Sequence, residues 1–157
     1  ITMTNLMLRH RCLAFRTDGQ IVYDPDRKGM KNNTQHWAII NVDDEISAYY
    51  RYLFEKQFHI TLDKPSWASH LSVLKNYTDM DKSIPWNYRD REIVEVVYGH
   101  ELFWNEDHVW INCYSEAVDD LRKHYAIRSL YDTGHITIGR FNKKDINRLE
   151  PFKRYQE

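Results

Sequence analysis

Two short motifs in the chain join an imidazole to a hydroxyl at alternate positions: His70-Leu71-Ser72 and His135-Ile136-Thr137. In a β-strand, residues i and i+2 project from the same face, so each motif presents its histidine and its hydroxyl together. Two such strands side by side make a four-point cradle. An imidazole titrates near neutrality and serves as acid or base, while a hydroxyl donates to a phosphate oxygen. A pair of each supplies in-line cleavage of a phosphodiester without a metal ion. His59-Ile60-Thr61 has the same form, so three of the eight histidines carry a hydroxyl two positions on.

The order of elements selects two of the three. Ala38-Ile39-Ile40-Asn41-Val42, a helix capped by Asp43 and a strand holding His70 match Val109-Trp110-Ile111-Asn112-Cys113, a helix capped by Ser115 and a strand holding His135. With Asn41 aligned to Asn112, His70 and His135 follow at comparable intervals, each on the strand after its helix. His59 comes much sooner after Asn41, directly behind the first helix, and reads as structural. The helices are expected over about Asp44 to Lys56, with Ile46, Tyr49, Tyr50, Leu53 and Phe54 at helical spacing, and over about Glu116 to Tyr125. Short strands are expected at Leu13 to Phe15 and Gln20 to Tyr23 around a turn at Gly19. Further strands are expected at Trp37 to Val42, Leu71 to Leu74, Glu92 to Tyr98, Val109 to Cys113, and Ile136 to Ile138 closed by Gly139. A short helix is expected near Asp145 to Arg148. The pattern predicts an α+β fold of two facing lobes.

Composition bounds the partners. A chain of 157 residues with no linker or low-complexity stretch is expected to be one domain over 1–157. Twenty-two Lys and Arg against 23 Asp and Glu give a net charge of -1, a poor balance for a duplex nucleic-acid binder, which needs excess cations to neutralise phosphates. Small anionic ligands fit better. No apolar run approaches the roughly 18 residues of a membrane span, and no signal-peptide pattern opens the chain, so a cytoplasmic protein without a membrane partner is expected. Cys12 and Cys113 have no metal-ligand spacing and read as reduced packing residues, and neither His100-Glu101 nor Asp107-His108 fits a His-Glu-x-x-His site. No metal or other cofactor is expected.

The paired motifs resemble, in form and in their separation along the chain, those of the two-histidine phosphoesterases, whose bilobal α+β fold lines a central cleft with antiparallel sheets and puts the helices outside. Around Lys64-Pro65-Ser66-Trp67-Ala68-Ser69-His70-Leu71-Ser72-Val73 and Gly134-His135-Ile136-Thr137-Ile138-Gly139, with Tyr49-Tyr50-Arg51-Tyr52-Leu53 upstream, the chain is similar to the phage anti-CBASS phosphodiesterases. Those proteins destroy the cyclic oligonucleotide signals of a bacterial antiviral system. The similarity runs roughly from Trp37 to Gly139. Ser72 stands where many relatives carry Thr, and Ala68 where Gly is expected.

The resemblance implies a host-cytoplasmic enzyme that cleaves a 3'-5' phosphodiester in a cyclic di- or trinucleotide. His70 and His135 would act as acid and base in an unassigned order, and Ser72 and Thr137 would hold the nonbridging oxygens. Two alternatives stand beside it: a 2',3'-cyclic phosphodiesterase or repair factor acting on RNA with the same site residues, and a noncatalytic sponge that holds cyclic nucleotides on its aromatics while the histidines only bind phosphate. Twenty-two aromatic residues offer platforms for bases. Tyr23, Trp86 and Tyr155 are candidates, with Tyr88 beside Trp86, and Glu150 is a candidate acceptor for an adenine amino group. Trp67 reads as a packing wedge. Lys75, Arg140, Lys143 and Lys144 read either as solvated surface or as attraction for an anion.

Overall fold

The computed structural model describes residues 13–25, 36–75, 79–128, 134–142 and 144. Its elements run β1 (Phe15–Tyr23), β2 (Trp37–Asn41), α1 (Asp44–Phe58), β3 (His70–Lys75), β4 (Ile93–Trp104), β5 (His108–Tyr114), α2 (Glu116–His124) and β6 (Gly134–Arg140). The expected helix near Asp145 lies outside the described residues.

Both helices begin where the caps place them. Asp43 is extended and accepts the Glu45 amide at 2.9 Å, with Asp44 and Glu45 in the first turn complementing the helix dipole. Ser115 does the same for the Ala117 amide at 3.3 Å. Ile46, Tyr50 and Phe54, each one helical turn from the next, form the buried stripe of α1, whereas Tyr49 falls off that stripe and is 57% exposed. His59 ends α1 in the left-handed region, with φ 58° and its amide on the Glu55 carbonyl at 2.8 Å. Its structural assignment therefore has a concrete form, as a helix C-cap.

The strands make one antiparallel sheet in the order β3-β2-β1-β4-β5-β6. Outward from the central β1–β4 pair, each half repeats strand, strand, helix, strand. The expected repeat is thus present, but the two halves share one continuous sheet, because Phe15 to Gln20 of β1 pairs directly with Ile93 to Tyr98 of β4. The sheet curls until its edge strands β3 and β6 lie against each other. Asp63, just before β3, closes the seam with Arg140 through two backbone hydrogen bonds of 2.9 Å.

The expected turn at Gly19 is instead the middle of β1. A Cβ there would overlap Ile40 Cγ2 and stand 3.1 Å from Val96 Cγ2, so the glycine marks close packing between neighbouring strands. Gly19→Val is expected to cost about 1–3 kcal/mol of stability in urea unfolding. An unchanged midpoint would mean the strands have slack at this point. β4 also runs on to Trp104, through a register slip between Tyr98 and Leu102, and this places His100 and Glu101 in a strand.

Alternation divides the sheet into two faces. One face packs Ile21, Ile40, Leu71, Val73, Val96, Ile111, Ile136 and Ile138 against Tyr50 and Phe54 of α1 and Val118 and Leu121 of α2. The other carries a small cluster of Val22, Trp37 and Ile39. On that second face stand the residues between the buried ones of β3 and β6, namely His70, Ser72, His135 and Thr137. Cys113 is buried, and burial pushes its thiol pKa up, so it packs as an inert residue. Among the described residues, no helix is long and apolar enough to cross a membrane.

Candidate active site

The register shows how the two halves correspond. In one, Asn41 pairs with His70, Ile40 with Leu71 and Ile39 with Ser72; in the other, Asn112 pairs with His135, Ile111 with Ile136 and Trp110 with Thr137. The next step is irregular in both. Ala38 pairs with Leu74, leaving Val73 as an extra residue, and Val109 pairs with Gly139, leaving Ile138 extra. Each slip has the form of a β-bulge at the same position of its motif strand, and a bulge re-aims the side chains beyond it. Strict alternation would point Lys75 and Arg140 away from the motif side chains. With one extra residue in each strand, both join them.

All four motif side chains line one cavity of about 240 Å³, together with Lys75, Arg140, His108, Trp37 and the Pro65-Ser66-Trp67 turn. Its described lining has three histidines, one lysine and one arginine, and no Asp or Glu. In a chain of net charge -1, that is a concentration of positive potential where an anion would sit. A larger depression of about 670 Å³ lies beside β4 and the start of α2. Its walls include Glu95, Glu116 and Asp120, and its Arg89 is tied to Glu92 and Asp120 at 2.7 and 3.0 Å. Carboxylates and a neutralised arginine make it a poor anion site, despite its size.

Several contacts hold His70. The chain entering β3 is fastened to the start of α1, since the Ser69 amide donates to Asp44 Oδ1 at 2.7 Å and the Val42 amide to the Ser69 carbonyl at 3.0 Å. His70 Nδ1 lies 2.8 Å from the Ala68 carbonyl oxygen, which only accepts, so Nδ1 carries a proton. Nε2 is then the nitrogen through which His70 takes or gives a second proton. Its ring stands edge-on to Trp37, with centroids 6.3 Å apart. Across the cavity, His135 tilts against Trp110 at 6.0 Å. Desolvation by the surrounding walls, the Lys75 ammonium of β3 and His108 of β5 hold its pKa below the ordinary histidine range, although part of its side chain stays open to solvent. The neutral form of His135 is therefore favoured.

The remaining expected residues divide. Tyr23 and Trp86 meet edge to face at 4.8 Å, but neither lines the motif cavity. The Tyr23 hydroxyl lies 2.6 Å from the Tyr88 carbonyl and 3.2 Å from the Tyr125 hydroxyl, and the Trp86 indole donates to Asp24 at 2.7 Å. Tyr88 stacks on His124 at 3.7 Å and hydrogen-bonds Asp120. This aromatic group adjoins the site through Asp24, which accepts the Trp37 amide at 3.1 Å. Lys143, Glu150 and Tyr155 lie outside the described residues.

Trp67 keeps its packing contact, its ring lying edge-on to the buried Trp37 with centroids 6.4 Å apart, and is at the same time 38% exposed at the cavity wall. His108 has no part in the motif pattern, yet it lines the cavity. A signal for it exists in the repeat, since Trp37 and His108 are separated along the chain by the same interval as Asn41 and Asn112, and both flank the site. Among the described residues, no group of three or more His, Cys, Asp or Glu is placed to hold a metal ion. Comparisons of the chain with protein-family models, with characterised proteins and with solved structures return no match.

Proposed function

We propose that the protein is a phosphodiesterase that cleaves a 3'-5' linkage of a cyclic di- or trinucleotide by histidine acid–base catalysis. The observation that carries this reading is the convergence of both His-x-Ser/Thr motifs on one cationic cavity whose described lining holds no Asp or Glu. A volume of about 240 Å³ falls below the usual span of whole-ligand pockets. It suits one phosphodiester and its adjoining sugar atoms, with the bases lying outside against rim aromatics such as Trp67.

The neutral imidazole of His135 takes the proton of the ribose 2'-hydroxyl. The freed oxygen attacks phosphorus, the bond to the 5' oxygen breaks, and the protonated imidazole of His70 delivers a proton to that departing oxygen. The products are a 2',3'-cyclic phosphate end and a free 5'-hydroxyl. Ser72 and Thr137 donate to the nonbridging oxygens as their charge grows, and Lys75 and Arg140 draw the anion in. The bilobal two-histidine architecture and the likeness to anti-CBASS enzymes of phages belong to the same proposal, which places the activity in an infected bacterial cytoplasm.

The test is one panel. Labelled cyclic dinucleotides, cyclic trinucleotides and short RNAs are incubated with the protein, with and without EDTA, and separated by chromatography. Opened cyclic substrates ending in 2',3'-cyclic phosphate, formed equally in EDTA, are the expected result. Cleaved RNA beside untouched cyclic substrates would replace this reading with RNA processing, and intact nucleotide recovered after denaturation would replace it with sequestration.

A further inference from the structure

Each helix packs on the motif strand of the opposite half, α1 on β6 and α2 on β3. Each sends an arginine to the same kind of place. Arg51 of α1 donates from Nη1 to the carbonyl of Ile138 at 2.7 Å, and Arg122 of α2 donates from Nη1 to the carbonyl of Val73 at 3.4 Å. Ile138 and Val73 are the extra residues of the two irregular steps. The two arginines are separated along the chain by the same interval as Asn41 and Asn112, and their targets by the same interval as His70 and His135.

We propose that Arg51 and Arg122 are positioning residues, a crossed pair in which the helix of each half fixes the irregular step in the other half's motif strand and so sets the spacing of the two histidines and two cations. β3 and β6 are edge strands, each paired on one side within the sheet order, and an extra residue there leaves backbone groups outside the ladder. A guanidinium satisfies such a carbonyl from a fixed direction. Arg122 is only 5% exposed, and burial lowers the Arg51 pKa. Taking a cation from water to meet a carbonyl is a costly way to stabilise a core that an apolar side chain would fill as well. Its occurrence twice, on the same step, fits a geometric role.

The inference rests on the proposed acid–base reading, so its test has one readout with activity and one without. Arg51→Met and Arg122→Met, with Arg51→Lys and Arg122→Lys as donors that restore one hydrogen bond, are assayed on the cyclic dinucleotide and followed by NMR of the histidine imidazoles. The Met variants are expected to lose about 10- to 100-fold in kcat, the scale of a misplacement near 1 Å, with KM within about twofold. His135 resonances should shift in Arg51→Met and His70 resonances in Arg122→Met, with partial return in the Lys variants. If Arg122→Met does not fold, Arg51→Met and the two Lys variants decide. Wild-type kcat and unmoved imidazole resonances in folded variants, with only a lower melting temperature, would overturn the proposal. Should the wild-type protein cleave nothing, shifted imidazoles would still uphold the crossed pair while the phosphodiesterase reading fell.

Discussion

Alanine at either His70 or His135 is expected to lower kcat on the cyclic substrate by about 10²- to 10⁴-fold, the usual contribution of a positioned acid or base. That corresponds to roughly 3–5 kcal/mol of transition-state stabilisation at about 1.36 kcal/mol per tenfold. Both residues stand on the face of the sheet away from the helical core, so the variants should melt close to the wild type. The double variant should lose little more than either single one, because the two histidines serve the same displacement, one at each end of it, and act as a unit. Their pH dependence separates the roles. The rate requires His135 neutral, and its pKa is lowered by desolvation, by Lys75 and by His108. The acidic limb therefore falls below the ordinary histidine range, where His135 takes up a proton. Arg140 also lines the cavity, but Lys75 is the cation acting on His135, so Lys75→Met should move the acidic limb up in pH. Full activity of both single alanine variants would sink the acid–base assignment. An acidic limb unmoved in Lys75→Met would remove only Lys75 from it.

Much of this site was legible as spacing. The i, i+2 rule put each histidine with its hydroxyl, and two helix caps framed a repeat whose alignment at Asn41 and Asn112 is also the register at which those residues pair with His70 and His135. Local rules sufficed because each of those features is local. The irregular steps were not legible. Val73-Leu74 and Ile138-Gly139 continue their strands with nothing in the sequence to mark a slip, so alternation sends Lys75 and Arg140 to the wrong face, and only pairing with β2 and β5 reveals the extra residue. The joining of the two halves into one sheet was likewise hidden, since β1 and β4 meet through pairs as distant in the chain as Phe15 and Tyr98. Gly19 read as a turn because glycine punctuates turns far more often than it relieves crowding inside a strand. Trp67 was half legible: its ring packs on Trp37 as an apolar wedge would, but its second place, on the cavity wall, depends on the distant pairing that brings β3 and β6 together.

The hydroxyls test a different part of the mechanism. Ser72→Ala and Thr137→Val each remove one donor while leaving the strand and its histidine in place, and each should lower kcat by about 10²- to 10³-fold, the scale of losing one oxyanion donor. Ser72→Thr should retain nearly all activity, because the threonine hydroxyl donates equally and a β-branched residue suits a strand. The partition between kcat and KM carries the argument. A donor that binds the ground-state phosphate as strongly as the transition state would change KM alone, whereas one aimed at charge that grows during attack changes kcat. Ser72 and Thr137 occupy equivalent positions on two different strands, so a loss confined to one would mean that only one nonbridging oxygen is held by a hydroxyl. The other oxygen would then fall to a cation on the cavity wall, where Lys75 and Arg140 stand. No loss in either variant, with both histidine variants inactive, would keep the acid–base chemistry and remove the hydroxyls from it.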